Sequence, residues 1–168
     1  MEALPEIRVD VSLDEWNRLL KEYDRDSNTA EYIHCNVEYK GKGEQHYYQD
    51  AAIRLRGNTS RRRPEGNGGQ MHTSNNTDWH HCHFMINLRK YQKDDDHELH
   101  NIRKLHLKWF KDDSDYCREL YCYDLMRRFG IWTACFSSYC RLWIHVEGDS
   151  QPAYYGVYSM LEPIDDKF

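Results

Sequence analysis

The chain has 168 residues, 39% apolar and 30% charged, and its 23 basic and 28 acidic side chains leave a formal charge of −5. That length suits one domain, 1–168, with a real core, to which thirteen Tyr and five Trp bring large areas to bury. A net acidic chain is poorly suited to wrapping nucleic acid, and no run of about 18 apolar residues is present to span a membrane. Glu2, Glu6 and Asp10 interrupt any signal-peptide pattern.

Glu6 to Val11 alternates, with Ile7, Val9 and Val11 on one face, and predicts a half-buried strand. Ser12-Leu-Asp-Glu15 is a capping box, and Trp16, Leu19, Leu20 and Tyr23 then follow at one-face helical spacing. Tyr32 to Tyr39 reads as a strand, Gly41 and Gly43 as its turn, and His46 to Arg56 as the returning strand of a hairpin. That strand runs into Arg54-Leu-Arg-Gly-Asn-Thr-Ser-Arg-Arg-Arg-Pro64. Gly57 tolerates positive φ, and Asn58, Thr59 and Ser60 carry short side chains that bond a tight turn. Two readings stand for it. Backbone N–H groups in a concavity, flanked by five arginines, can hold a phosphate. The same residues also describe a solvated turn whose basic edge discourages strand association.

Glu65 to Asp78 has no periodicity and reads as a mobile loop. His80-His-Cys-His83, with His72 nearby, carries zinc-type ligands. On a strand from Trp79 to Leu88, however, His81 and His83 face away from His80 and Cys82, and no second ligand pair follows, so ordinary strand residues are the better reading and no metal site is expected. Arg89 to His100 is charged throughout. Leu105 to Phe110 is a short strand with Lys108, His106 and Phe110 on one side. A second helix is expected from about Asp115 to Phe129, capped by Ser114 and ended by Gly130. Its apolar residues cover most of the circumference, which predicts packing on more than one side. Glu119, on that helix, either pairs with a cation against packed surface or sits solvated in the first turn. Tyr139–Val146 and Tyr154–Leu161 form a second hairpin around Glu147-Gly-Asp149, and Glu162-Pro163 ends it. The expected class is α+β, a mostly antiparallel sheet with two main helices. The six cysteines include no C-x-x-C pair and read as small buried hydrophobes of a reducing, cytoplasmic compartment.

The order of hairpin, anion turn, lysine strand, glutamate helix and second hairpin is similar to the small lobe of a protein kinase. The Gly-x-Gly-x-x-Gly motif is missing, and Gly57-Asn-Thr-Ser60 stands in its place. More specifically, the chain resembles the CotH family of spore-coat-type atypical protein kinases. The resemblance rests on Arg54-Leu-Arg-Gly-Asn-Thr-Ser60, Leu107-Lys108, Asp112-Asp113, Arg118-Glu119, Arg127-Arg-Phe-Gly130, Tyr155-Gly-Val-Tyr158 and Glu162-Pro-Ile-Asp165. It implies an atypical kinase-like N-lobe, and transfer of the γ-phosphate of ATP, with Mg²⁺, to a serine of a protein substrate. Carried onto this chain, it places Arg54, Arg56, Gly57, Asn58 and Ser60 around the phosphates. Lys108 would pair with them and be oriented by Glu119, with Arg89 and Lys90 as its competitors. Met160 to Glu162 would line the adenine through backbone groups.

The family continues past the hinge into a region holding metal-binding and catalytic aspartates, for which Asp165 and Asp166 are no substitutes. The resemblance therefore implies that these residues alone are inactive, and that a second lobe or self-association covers apolar residues of the last hairpin. A non-catalytic partner-binding or spore-coat assembly module, associated with the spore or surface, is the alternative.

Overall fold

The computed structural model describes residues 3–94 and 96–163, so Asp165 and Asp166 lie outside the described residues. Its elements are β1 (Glu6–Val11), α1 (Leu13–Arg25), β2 (Ile33–Gly41), β3 (Glu44–Arg56), β4 (His83–Asn87), β5 (Lys104–Lys108), α2 (Arg118–Arg128), β6 (Ser137–Val146) and β7 (Ala153–Leu161). The seven strands close into a barrel in the order β1-β2-β3-β4-β5-β7-β6. The closing seam is a parallel pairing of β1 with β6, from Glu6 opposite Arg141 to Val11 opposite Val146. This corrects the expected α+β, kinase-like N-lobe with two main helices. The molecule is mostly sheet, the sheet has no open edge, and the helices are short.

Alternation decides what goes inside. Ile7, Val9 and Val11 of β1, Ile53 and Leu55 of β3, Phe84 and Ile86 of β4, and Leu142, Ile144 and Val146 of β6 are all buried. Two neighbouring strands shift register at Asn36, where Asp50 adopts φ 53 and donates its amide to Asn36 Oδ1 at 2.9 Å. The bulge lets the 13-residue β3 turn while its apolar residues stay inside. The Ser12 half of the capping box forms, the Glu15 amide donating to Ser12 Oγ at 3.3 Å, while the Glu15 carboxylate takes Arg18 at 3.0 Å and the His34 amide at 2.6 Å instead of reaching back; α1 lays Trp16, Leu19 and Leu20 into the core.

Two regions depart from expectation. Glu65 to Asp78 is pinned rather than mobile. The Trp16 indole donates to Glu65 Oε2 at 2.9 Å, and His72 bridges Glu65 (3.0 Å) and Asp149 (3.1 Å) with both side-chain carboxylates and the ring buried. Arg63, also buried, holds Asp24 at 2.9 Å. Buried charges of this kind require partners, and these partners tie the excursion to α1 and to the β6–β7 turn. The second departure is α2, which starts at Arg118 and has no fully buried residue. Tyr116 at φ 57 bends the chain just before it, the N-cap is Cys117 rather than Ser114, and the Asp113 carboxylate accepts the Arg118 amide at 2.7 Å. At its other end Gly130 adopts φ 79, and the amides of Gly130 and Ile131 return to the carbonyls of Arg127 and Met126, a Schellman motif.

Candidate functional site

The ladder builds one row across the outside of the barrel. Arg56 lies opposite His83, and Lys108 opposite Ser159. Phe84 pairs with Leu107, so His83 at the start of β4 neighbours Lys108 at the end of β5. Adjacent strands are about 4.8 Å apart, so Arg56 and Lys108 stand roughly 10 Å apart at their backbones, with His83 between them. Lys108 Nζ donates to Glu119 Oε1 at 2.6 Å, and both side chains are about a third exposed at 29% and 32%. Of the two competing cations, Arg89 holds Glu98 at 2.6 Å and Lys90 stands 5.3 Å over the Tyr32 ring.

Electrostatics in the row follow from crowded positive charge. Burial, and then the Lys108, Arg56 and Lys111 charges, push His83 down to about 4. Burial with Arg56, Arg54, Lys108 and Lys104 pushes His106 down to about 3. Both rings are therefore neutral near pH 7. His83 uses its unprotonated Nδ1 to accept the Trp109 amide at 3.1 Å. Burial also lowers the Arg56 guanidinium, against which Glu119 pulls it up. Three buried polar atoms on this face have no partner among the described residues: Arg54 Nε, His106 Nε2 and Ser159 Oγ.

The turn after β3 is not a hairpin, because β4 begins only at His83. Gly57 adopts φ 124, and a Cβ there would stand 2.7 Å from Ser60 Oγ. No amide of Gly57, Asn58, Thr59 or Ser60 donates to a partner among the described residues, and Asn58 and Thr59 are exposed. The arginine run serves the fold more than the turn. Arg61 donates through Nε to the Gly57 carbonyl at 2.6 Å and through its guanidinium to the Thr29 carbonyl, while Arg63 is buried on Asp24. Arg54 points along the barrel, 5.2 Å from the Tyr32 ring centroid.

The structure thus brings Arg56, Lys108 and Glu119 together, and Gly57 to Ser60 follow directly on Arg56. Met160 and Glu162 are placed differently. Met160 lies within the ladder between Leu107 and Ser138, and the Glu162 amide donates to the Phe136 carbonyl at 3.0 Å. His83 belongs to the row and His106 to the next one, beside Met85 and Leu161, but neither was among the sequence-derived binding residues. Only the strand register reveals them, since their spacing within β4 and β5 carries no signal. The four zinc-type residues diverge: Cys82 is fully buried, His80 Nδ1 donates to the Arg63 carbonyl at 3.0 Å, and His81 stacks on Trp109. Four cysteines are buried as expected, but Cys117 and Cys122 are exposed.

The barrel thus presents a cationic row, a lysine–glutamate pair and open turn amides on one face. Residues 53–168 match the family model described as CotH kinase protein, and the chain belongs to that family. The match begins within β3 and takes in every residue of the row. Among curated proteins no match is found. No helix among the described residues is long and apolar enough to cross a membrane.

Proposed function

We propose that the chain holds the phosphates of ATP as part of a CotH-type kinase acting on a serine of a protein substrate. The observation that carries this reading is the 2.6 Å Lys108–Glu119 pair one strand from His83 and two from Arg56. A lysine anchored by a carboxylate is preorganised, because its ammonium has two further N–H donors directed outward for a phosphate oxygen. Arg56 supplies a planar fork from the other side of the row, suited to two oxygens at once. The neutral His83 between them keeps the row from becoming a block of like charge. Amides of Gly57 to Ser60 add donors that bring no net charge.

Mg²⁺ fits less well. Among the described residues no group of three or more His, Cys, Asp or Glu can hold a metal ion, and Glu119 is held by Lys108. These residues bind and orient the phosphates.

Isothermal titration of ATP with and without Mg²⁺ tests the reading. A charged hydrogen bond contributes about 1.5–3 kcal/mol, so Arg56→Ala and Lys108→Ala should each weaken binding about 10- to 100-fold. Wild type and both variants binding equally, or no heat at millimolar ATP, refutes it. The assembly-module reading draws on a different feature, the exposed aromatic residues around α2.

A further inference from the structure

Outside the cationic row, the most unusual surface lies on the far side of α2 and the turn that follows. Tyr121 (61% exposed), Phe129 (81%), Trp132 (94%) and Phe136 (62%) stand in water, with Met126 and Ile131 beside them. The Schellman turn holds Phe129 and Ile131 at the helix end, and the Arg127 guanidinium sits 5.1 Å over the Phe136 ring. At about 150–250 Å² per aromatic side chain, these four alone expose roughly 450–750 Å². A standard interface takes about 800 Å² from each partner, and the largest apolar patch of a typical monomer is about 300–600 Å². The apolar residues of the last hairpin, by contrast, are mostly inside: Tyr155, Tyr158 and Leu161 are buried.

We propose that this surface is covered by a second copy of the chain, with the two α2 helices antiparallel about a two-fold axis. Charge selects that occupant and that direction. Asp112, Asp113 and Asp115, with Lys111 and Arg118 on either side, stand at the helix entrance, and Arg127 and Arg128 end it, Arg128 also holding Asp124 at 2.7 Å. Antiparallel pairing sets the acidic entrance of one copy against the basic exit of the other, and opposes the two helix dipoles favourably. A two-fold interface requires this kind of self-complementarity, in which residue i meets j and j meets i. The midpoint of Arg118–Arg128 is Tyr123, next to the exposed Cys122, so the axis passes close to Cys122 of both copies.

Sedimentation equilibrium of the whole chain, with Trp132→Ser and Phe129→Ser as single variants, reads the association. Both side chains are exposed, so the fold should survive, and unchanged circular dichroism spectra and melting temperatures check this. The expected result is a wild-type dimer whose dissociation constant rises about tenfold or more in either variant. A short bis-maleimide should then link two copies through Cys122 in a Cys117→Ser background, and the link should vanish in Cys122→Ser. A monomer at 100 µM overturns the proposal. So does a dimer indifferent to both variants, or one that yields no Cys122 link.

Discussion

His83 makes the tightest quantitative test of the row. It is 7% exposed, accepts the Trp109 amide through Nδ1, and is held at about 4 against an ordinary value of 6.5 by burial and by the Lys108 and Arg56 charges. The folded protein therefore keeps the ring neutral while the unfolded chain takes up a proton near pH 6.5. Stability falls as pH drops from about 6.5 towards about 4, and the loss levels off below, where both states are protonated. The full difference is about 3 kcal/mol, of which about 2 kcal/mol falls between pH 7 and pH 5. His106 acts in the same direction but is more exposed, and screening cuts its share to roughly 1 kcal/mol. His145 opposes both, because the Asp149 carbonyl and Asp10 raise it. The measurement is thus a difference: urea unfolding of wild type and His83→Asn at pH 7, 6 and 5. Asn can still accept the Trp109 amide but cannot titrate. The variant should be less stable at pH 7, yet lose about 2 kcal/mol less on going to pH 5. Parallel pH profiles for the two proteins would refute the assignment of a neutral, buried imidazole among the cations.

Two further substitutions probe what holds the site in place. His72→Ala leaves the buried carboxylates of Glu65 and Asp149 without their shared partner and should cost about 3–5 kcal/mol in urea unfolding; a loss under about 1 kcal/mol would mean the excursion is not tied down through this ring. Gly57→Ala places a Cβ at φ 124 and 2.7 Å from Ser60 Oγ, and should cost about 1–3 kcal/mol and weaken ATP binding as the turn shifts. An unchanged melting temperature would show that the turn accommodates the methyl group and carries no strain.

Elements with local causes could be read from sequence. Ser12 and Glu15 are three residues apart and meet in the cap, and the spacing of Trp16, Leu19 and Leu20 sufficed to predict their burial. Lys108 and Glu119 are eleven residues apart, on a strand and the helix that follows it, and the connection is too short to carry them far from each other. Closure of the barrel has no local cause. β1 meets β6 more than 130 residues later, and alternation reads the same whether the neighbouring strand is parallel, antiparallel or missing. The partners of the arginine run after Arg56 were hidden for a related reason. An arginine run looks like one feature in sequence, yet Arg61 and Arg63 find acceptors at Thr29 and Asp24, over thirty residues earlier. The same holds for Glu65 to Asp78, whose polar composition suggested mobility until its partners at Trp16 and Asp149 were in place.

Closure also divides the site into parts of different stiffness. Arg56 and His83 pair with each other and Lys108 pairs with Ser159, at strand ends that lie over the buried Leu55, Phe84 and Leu107. Glu119 stands on a helix with no fully buried residue, held at its start by Asp113 and by the Tyr139 hydroxyl on the Tyr116 carbonyl at 2.5 Å. The cationic half of the site is thus fixed by the fold, whereas the carboxylate that orients Lys108 depends on how α2 is seated. Exposed aromatic residues on the outer side of that helix put its seating within reach of whatever covers them. A change in how α2 is seated would therefore reach Lys108 through Glu119.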